Sequence, residues 1–292
     1  FGEVRKHISN DELDSIRFYA IIKHAQIKAS SKPILYIDHR IGGGANAYLD
    51  KKLATDKQNN PVLLFSYNFK LKCPELSLHF QNFSISRYFE NTQDLFDFLN
   101  IIEIKQIFYN NLVSFKSLNS ILNNLVTLKK SKEIPISIAI HDFFPVCQSF
   151  TLVNQNGKYC GAETNPKVCE VCIKENKNYE DKSISITQWR SQWELLLENA
   201  NEIICFSESS KNIINKVYAN NKKVAKAIVV IRHTLPVAIP NKPVLSIKEE
   251  LHIGVIGTIN FHKGAEVLKS IVGYLDQQQS GKLTVIGRLS QG

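Results

Sequence analysis

PILYIDHRIGGGANAYLDKKLA, residues 33–54, sets an apolar run, a glycine corner and a helix-like segment in immediate succession. Ile34-Leu35-Tyr36-Ile37 stops at a polar corner, Asp38-His39-Arg40, and Gly42-Gly43-Gly44 follow. Residues 45–54 then read as a helix, with Ala47, Leu49 and Leu53 among its apolar positions. Strand, glycine corner and helix form the opening unit of a doubly wound α/β sheet. Glycine has no Cβ, so the backbone turns sharply and a ligand can come close to its N–H groups. The positive end of the following helix points to the same place, which suits a phosphate. A tight turn that binds nothing would use the same residues. Three successive glycines favour the phosphate reading. The spacing is neither the GxGxxG dinucleotide fingerprint nor a P-loop with its Lys-Ser/Thr.

Outward from this unit, strand and helix patterns keep alternating, as in a parallel sheet. Residues 1–30 read as a helical preamble, docked or free, with Ile16, Tyr19, Ile22 and Ala25 on one face. Strands are expected at 61–66, 106–109 and 135–140, with short β candidates at 75–80 and 83–85. Asn91-Thr92-Gln93-Asp94 has capping-box form ahead of a helix at 95–102, and a second helix is expected at 115–128. At His141 the alternation breaks. Residues 141–182 carry turn formers, lysines and four cysteines, without a clear helix or strand period. A helix at 184–200 bears Trp189 and Trp193. It is followed by a strand at 202–206, a helix capped by Ser207 and running to 218, and a strand at 227–231. Pro236, Pro240 and Pro243 mark 235–250 as a linker. A second Rossmann-like unit then opens with a strand at 251–256, a loop at 257–264, a helix at 265–275 and a strand at 283–286. The expected architecture is therefore α/β, with two Rossmann-like domains built on parallel sheets. Residues 1–30 are the preamble, 31–234 the first domain with a cysteine-rich insert at 145–182, and 251–292 the start of a second, incomplete domain.

The composition sets the class. The chain has 292 residues, 43% of them hydrophobic and 22% charged, which describes a soluble globular protein. No apolar run is long enough to span a bilayer, and Phe1-Gly2-Glu3-Val4-Arg5-Lys6 is not a secretory signal. With no Met anywhere, the chain reads as a processed or truncated piece. Six cysteines without a signal argue for a reducing compartment, hence a cytoplasmic protein. The net charge of +9 would suit an anionic lipid or a phosphorylated substrate. The lysines are scattered rather than interleaved with aromatics, which argues against nucleic acid.

Three stretches can carry chemistry. Cys147, Cys160, Cys169 and Cys172 combine a Cys-x2-Cys pair with two more thiols in a turn-rich insert, a set able to wrap a tetrahedral structural Zn²⁺. Free or disulfide-paired thiols are the other reading. His141-Asp142 stands at the carboxyl end of a buried strand, where open α/β sheets bind ligands. A His beside an Asp there could orient a sugar hydroxyl or serve in proton transfer, and a satisfied structural His is the plainer alternative. His39 is a weaker candidate of the same kind. Finally, Lys263 ends a strand-to-helix loop and Arg288 follows the next strand, so both could meet a diphosphate.

IDHRIGGGANAYL, AIHDFFPVC, YCGAETNPKVCEVC, ISITQWRSQW, VIGTINFHKGAEVL and LTVIGR, in that order, resemble retaining glycosyltransferases of the group 1 (family 4) type. The closest likeness is to bacterial members that build surface polysaccharide and carry this cysteine-rich insert. The resemblance runs from about Lys32 to the last residue. It implies the GT-B arrangement, with an acceptor domain first and a nucleotide-sugar donor domain second. It also implies that Gly42, Gly43 and Gly44 meet the donor's diphosphate or sugar, that His141 lies by the reacting sugar, and that Lys263 stabilises the leaving diphosphate. Thr258 stands where the family has an arginine, and Arg288 is expected to supply that charge. The family's paired-glutamate motif lies further on than Gly292. No catalytic metal is expected. The acceptor would be a saccharide or a lipid-linked species, which allows peripheral contact with the inner face of the membrane. A zinc-stapled, non-catalytic module that binds polysaccharide or a protein partner is the alternative.

Overall fold

A computed structural model describes residues 10–113, 115, 117–176, 182–233, 251–257, 259, 263–278 and 281–287. The chain divides into two units, Phe1–His233 and Thr234–Gly292.

The first unit opens with α1 (Asn10–Ala29), β1 (Ile34–Ile37), α2 (Gly44–Asp56), β2 (Val62–Asn68), β3 (Cys73–Phe80), β4 (Phe83–Tyr88) and α3 (Thr92–Ile101). It continues with β5 (Gln106–Tyr109), α4 (Leu118–Lys132), β6 (Ile136–Ile140), α5 (Pro166–Glu175) and α6 (Ile186–Leu197). It ends with β7 (Glu202–Cys205), α7 (Glu208–Val217), α8 (Lys222–Ala227) and β8 (Ile228–Val230). Its eight strands lie in the order β4-β3-β2-β1-β5-β6-β7-β8. From β2 to β8 across this sheet, neighbouring strands are parallel. All four β1 residues are buried, because both faces of the sheet are covered. On one face Leu35, Ile37, Phe65, Ile107 and Ile138 join the large core with α1, α3, α4 and α6. On the other, Ile34, Tyr36, Val62, Leu64 and Phe108 pack on Leu49 of α2.

The sheet is not parallel throughout. β3 runs antiparallel to β2, and β4 antiparallel to β3, so 62–88 is a meander on the edge. Short connections, such as Gln81-Asn82 between β3 and β4, leave no room for the helical crossover that a parallel pair needs. The chain thus winds outward from β1 to β4 and returns through α3 to β5, on the other side of β1. The gap between β1 and β5 is therefore the topological switch point, where the carboxyl ends of strands leave a crevice.

Three other expectations are corrected. The opening helix docks on the first unit, by a face other than the expected one. Phe18, Ile22 and Ala25 are buried in the main core, while Ile16, expected on that face, is exposed. The insert at 145–182 is not without helix, because Asn165 caps α5 and Pro166 opens it. An Asn followed by Pro is itself a helix-start signal. The helix expected at 115–128 begins three residues later, behind Ser117 in the left-handed region. By contrast, Asn91 caps α3 as its sequence suggests, accepting from the Asp94 N–H at 3.0 Å.

The second unit holds β9 (Leu251–Ile256), α9 (Ala265–Gln278) and β10 (Gly281–Ile286). The two strands pair in parallel, Leu251 opposite Gly281 and Ile256 opposite Ile286, which makes a βαβ unit. The 235–250 linker lies outside the described residues.

Candidate functional site

The site is built at the switch point. Each parallel strand there hands over to a polar or aromatic residue at its first position beyond the ladder: Asp38 after β1, Asn110 after β5, His141 after β6 and Phe206 after β7. Asp38 is fully buried. Its Oδ1 accepts from Asn110 Nδ2 at 2.7 Å. Its Oδ2 accepts from the Arg40 N–H at 3.2 Å and from Asn46 Nδ2. Asn110 Nδ2 also donates to the Ala45 carbonyl at 3.0 Å, which ties β5 to the start of α2.

This arrangement fixes the state of His141. Asp38 and the Ala45 carbonyl take the amide nitrogen of Asn110, so its Oδ1 must accept from the histidine. His141 Nε2 lies 2.8 Å from that oxygen and carries the proton. The Nδ1 lone pair is then left to act as an acceptor. Burial, together with the nearby His233 and His39 rings, lowers the His141 pKa to about 4, so the ring is neutral at pH 7. Asp142 is held by other donors. It accepts from Asn111 Nδ2 at 2.7 Å and from the Phe144 N–H at 2.9 Å. Burial raises its pKa, and those two bonds oppose the rise. His39 is buried, its Nδ1 accepts from the Ile41 N–H at 2.9 Å, and its pKa is lowered by desolvation.

The glycine corner stands beside this network. Gly42 and Gly43 have φ of +107° and +86°, which side chains rarely adopt, and Gly43 is the N-cap of α2. The Asn46 side chain holds the corner by accepting from the Gly42 N–H while donating to Asp38. Gly44 differs from its neighbours. Its φ is ordinary, and a Cβ there would meet nothing within 4 Å. Neither strain nor packing inside the described protein requires glycine at 44, and all three glycines are exposed.

Aromatic rings close the other side. Phe206 and His233 stack at 4.0 Å and 12°, and His141 stacks on Phe206 at 4.7 Å and 23°. Tyr48 of α2 meets His141 and Phe206 edge-on at 5.1 Å. Such a wall can lie against the apolar face of a sugar or a base.

The structure thus brings His141, its neighbour Asp142 and Gly42–Gly44 to one edge of the first unit. Lys263 precedes α9 in the second unit, and Arg288 and Thr258 lie outside the described residues. The cysteines come together elsewhere. Cys147, Cys160, Cys169 and Cys172 line one cavity of about 300 Å³. Among the described residues, no three His, Cys, Asp or Glu side chains stand in metal-holding geometry as they lie. The other two cysteines stand apart from these: Cys205 is buried within β7, and Cys73 is half-buried at the start of β3. Sequence reasoning passed over Asn46, Asn110, Asn111, Phe206, His233 and the buried role of Asp38. The signal for several of them was position, one residue past the end of an apolar strand.

No family model matches the chain, and no curated protein is found to match it. Among solved structures it is similar to Anabaena HepE in complex with UDP and glucose, at 11% identity over 89% of this chain and 70% of that one, with a TM-score of 0.44. The HepE complex with UDP gives 12% identity, 88% and 69% coverage and a TM-score of 0.45. LpCGTa in complex with UDP gives 12% identity, 94% and 68% coverage and a TM-score of 0.34. Likenesses this distant say nothing of what this chain binds or does.

Proposed function

We propose that the protein is a GT-B glycosyltransferase, moving a sugar with retention from a nucleotide-sugar donor to a hydroxyl of a saccharide or lipid-linked acceptor. One observation carries the reading: the Asp38–Asn110–His141 chain, set at the switch point beside an exposed helix start whose third glycine the fold does not itself require. The order of sequence motifs supports it. In this reading neutral His141 takes a hydrogen bond from a sugar hydroxyl on Nδ1, while Asp38 and Asn110 hold the ring. Gly42–Gly44 and the N-terminus of α2 approach the transferred sugar or the diphosphate. The acceptor oxygen bonds to the anomeric carbon, the bond from that carbon to the diphosphate breaks with its electron pair leaving on the diphosphate, and the acceptor's hydroxyl proton passes to the departing diphosphate oxygen. Lys263 and Arg288 stabilise that charge. The net charge of +9 suits an acceptor carried on an anionic membrane face, in surface-polysaccharide synthesis on the cytoplasmic side.

The test is a panel of UDP-, GDP- and dTDP-sugars, with binding followed by ligand-observed NMR and turnover by release of the nucleoside diphosphate. The expected result is saturable binding of at least one donor. His141→Ala should lower turnover by roughly 10²-fold, the scale of a lost transition-state hydrogen bond. Silence across the panel from folded protein would overturn the assignment and point to a non-catalytic module.

A further inference from the structure

The insert that leaves the sheet immediately after Asp142 is poor in regular structure. Its described part holds α5 and one isolated bridge, Val153 to Tyr159. Its thiols nevertheless gather from three places. Cys147 ends a turn and donates its N–H to the Phe143 carbonyl at 3.0 Å. Cys160 follows the bridge, with its N–H on the Leu152 carbonyl at 2.9 Å. Cys169 and Cys172 lie three apart on α5, hence on one face. All four line the same cavity, and Arg190 of α6 lines it with them. The Arg190 guanidinium is anchored on two carbonyls, Nε to Val146 at 3.1 Å and Nη2 to Glu163 at 2.7 Å. From there Nη2 reaches to 4.0 Å from Cys169 Sγ. Asn176 Nδ2 stands 3.8 Å from Cys172 Sγ.

We propose that Cys147, Cys160, Cys169 and Cys172 bind one Zn²⁺ in a closed structural site. Four thiolates on Zn²⁺ carry a net charge of −2 by formal count, and Arg190 and the Asn176 amide are placed to offset it. This outer partnership is common around metal ligands. The thiols line the cavity wall rather than meet at a point. Binding therefore draws them inward, and their protons go to solvent. With four protein ligands no position remains open for substrate. The ion fastens the loop that begins at Asp142, so it steadies the edge on which His141 sits without touching the chemistry.

Metal content reads this site whether or not the protein transfers sugars. Protein purified without chelator should hold about one zinc per chain by elemental analysis. Cobalt(II) in place of zinc should give the sulfur-to-metal charge-transfer band and visible bands of a tetrahedral thiolate site. Cys169→Ser and Cys172→Ser should lose the metal, while Cys73→Ser, outside the cavity, should keep it. Because a serine variant can fail to fold, removal of the metal from the wild type is the second readout. It should lower the melting temperature reversibly. Zinc well below one per chain together with no cobalt band would overturn the proposal. So would a disulfide among the four, seen by mass in protein kept under reducing conditions.

Discussion

Replacing His141 by glutamine keeps an N–H for Asn110 Oδ1 and removes the titration. The wild-type ring has its pKa lowered from 6.5 to about 4. Above 6.5 the ring is neutral in both the folded and unfolded chain, so it leaves stability unchanged. As pH falls through the window from 6.5 to about 4, the unfolded chain takes up a proton that the folded one refuses. Stability drops at up to about 1.4 kcal/mol per pH unit, and the loss is complete, at about 3 kcal/mol, once pH passes below the folded value. Between pH 7 and pH 5 the wild type should therefore lose about 2 kcal/mol more than His141→Gln. His39 and His79 are also lowered, but both are present in the two proteins and largely cancel. Urea unfolding followed by tryptophan fluorescence is the assay, since the two tryptophans, Trp189 and Trp193, are buried in the first unit. A proton NMR titration of the ring is the direct check. Equal pH dependence in the two proteins, or a ring that titrates near 6.5, would refute the buried neutral histidine and the hydrogen-bond chain that holds it.

Asp38→Ala leaves three N–H donors, from Asn46, Asn110 and Arg40, facing a buried gap. It should cost about 3 kcal/mol or more in urea unfolding. Gly43→Ala forces a side chain into φ of +86° with no clash to relieve, so a loss of about 1–3 kcal/mol is expected from strain alone. Gly44→Ala should leave the melting temperature almost unchanged and weaken donor binding, and an unaltered affinity would remove this glycine from the site. Trp189→Phe removes the donor to the Phe144 carbonyl, a 2.8 Å bond, and should cost about 1 kcal/mol in the same unfolding assay.

The parts of the fold legible in sequence were those where local chemistry and tertiary context agree. The apolar run of β1, the Asn91 cap and the paired tryptophans of α6 each carry their signal within a few residues. The face of α1 was misread because Ile16 and Phe18 are both apolar, and only the position of Phe98 decides which one is covered: Phe18 stacks on it at 5.8 Å. The meander was half legible, since strand candidates show in sequence but their direction depends on connection length. In the site, His141 stood out by residue type and strand end. Asp38 did not, because a buried aspartate is recognised by its donors, and Asn46 and Asn110 lie eight and seventy-two residues away. No local pattern encodes a partner at that distance.

The first described helix also has a practical consequence. Its Lys23 and Gln26 grip Glu103, and its Asp11 holds Arg87 at 2.8 Å, with that guanidinium lying 4.4 Å over the ring of Phe89. A shortened chain beginning at Ser31 would bare the aromatic seam of Phe89 and Phe98 along one flank. Such a product should be recovered as aggregate, and residues 10–29 belong in any expression design meant to yield the first unit alone.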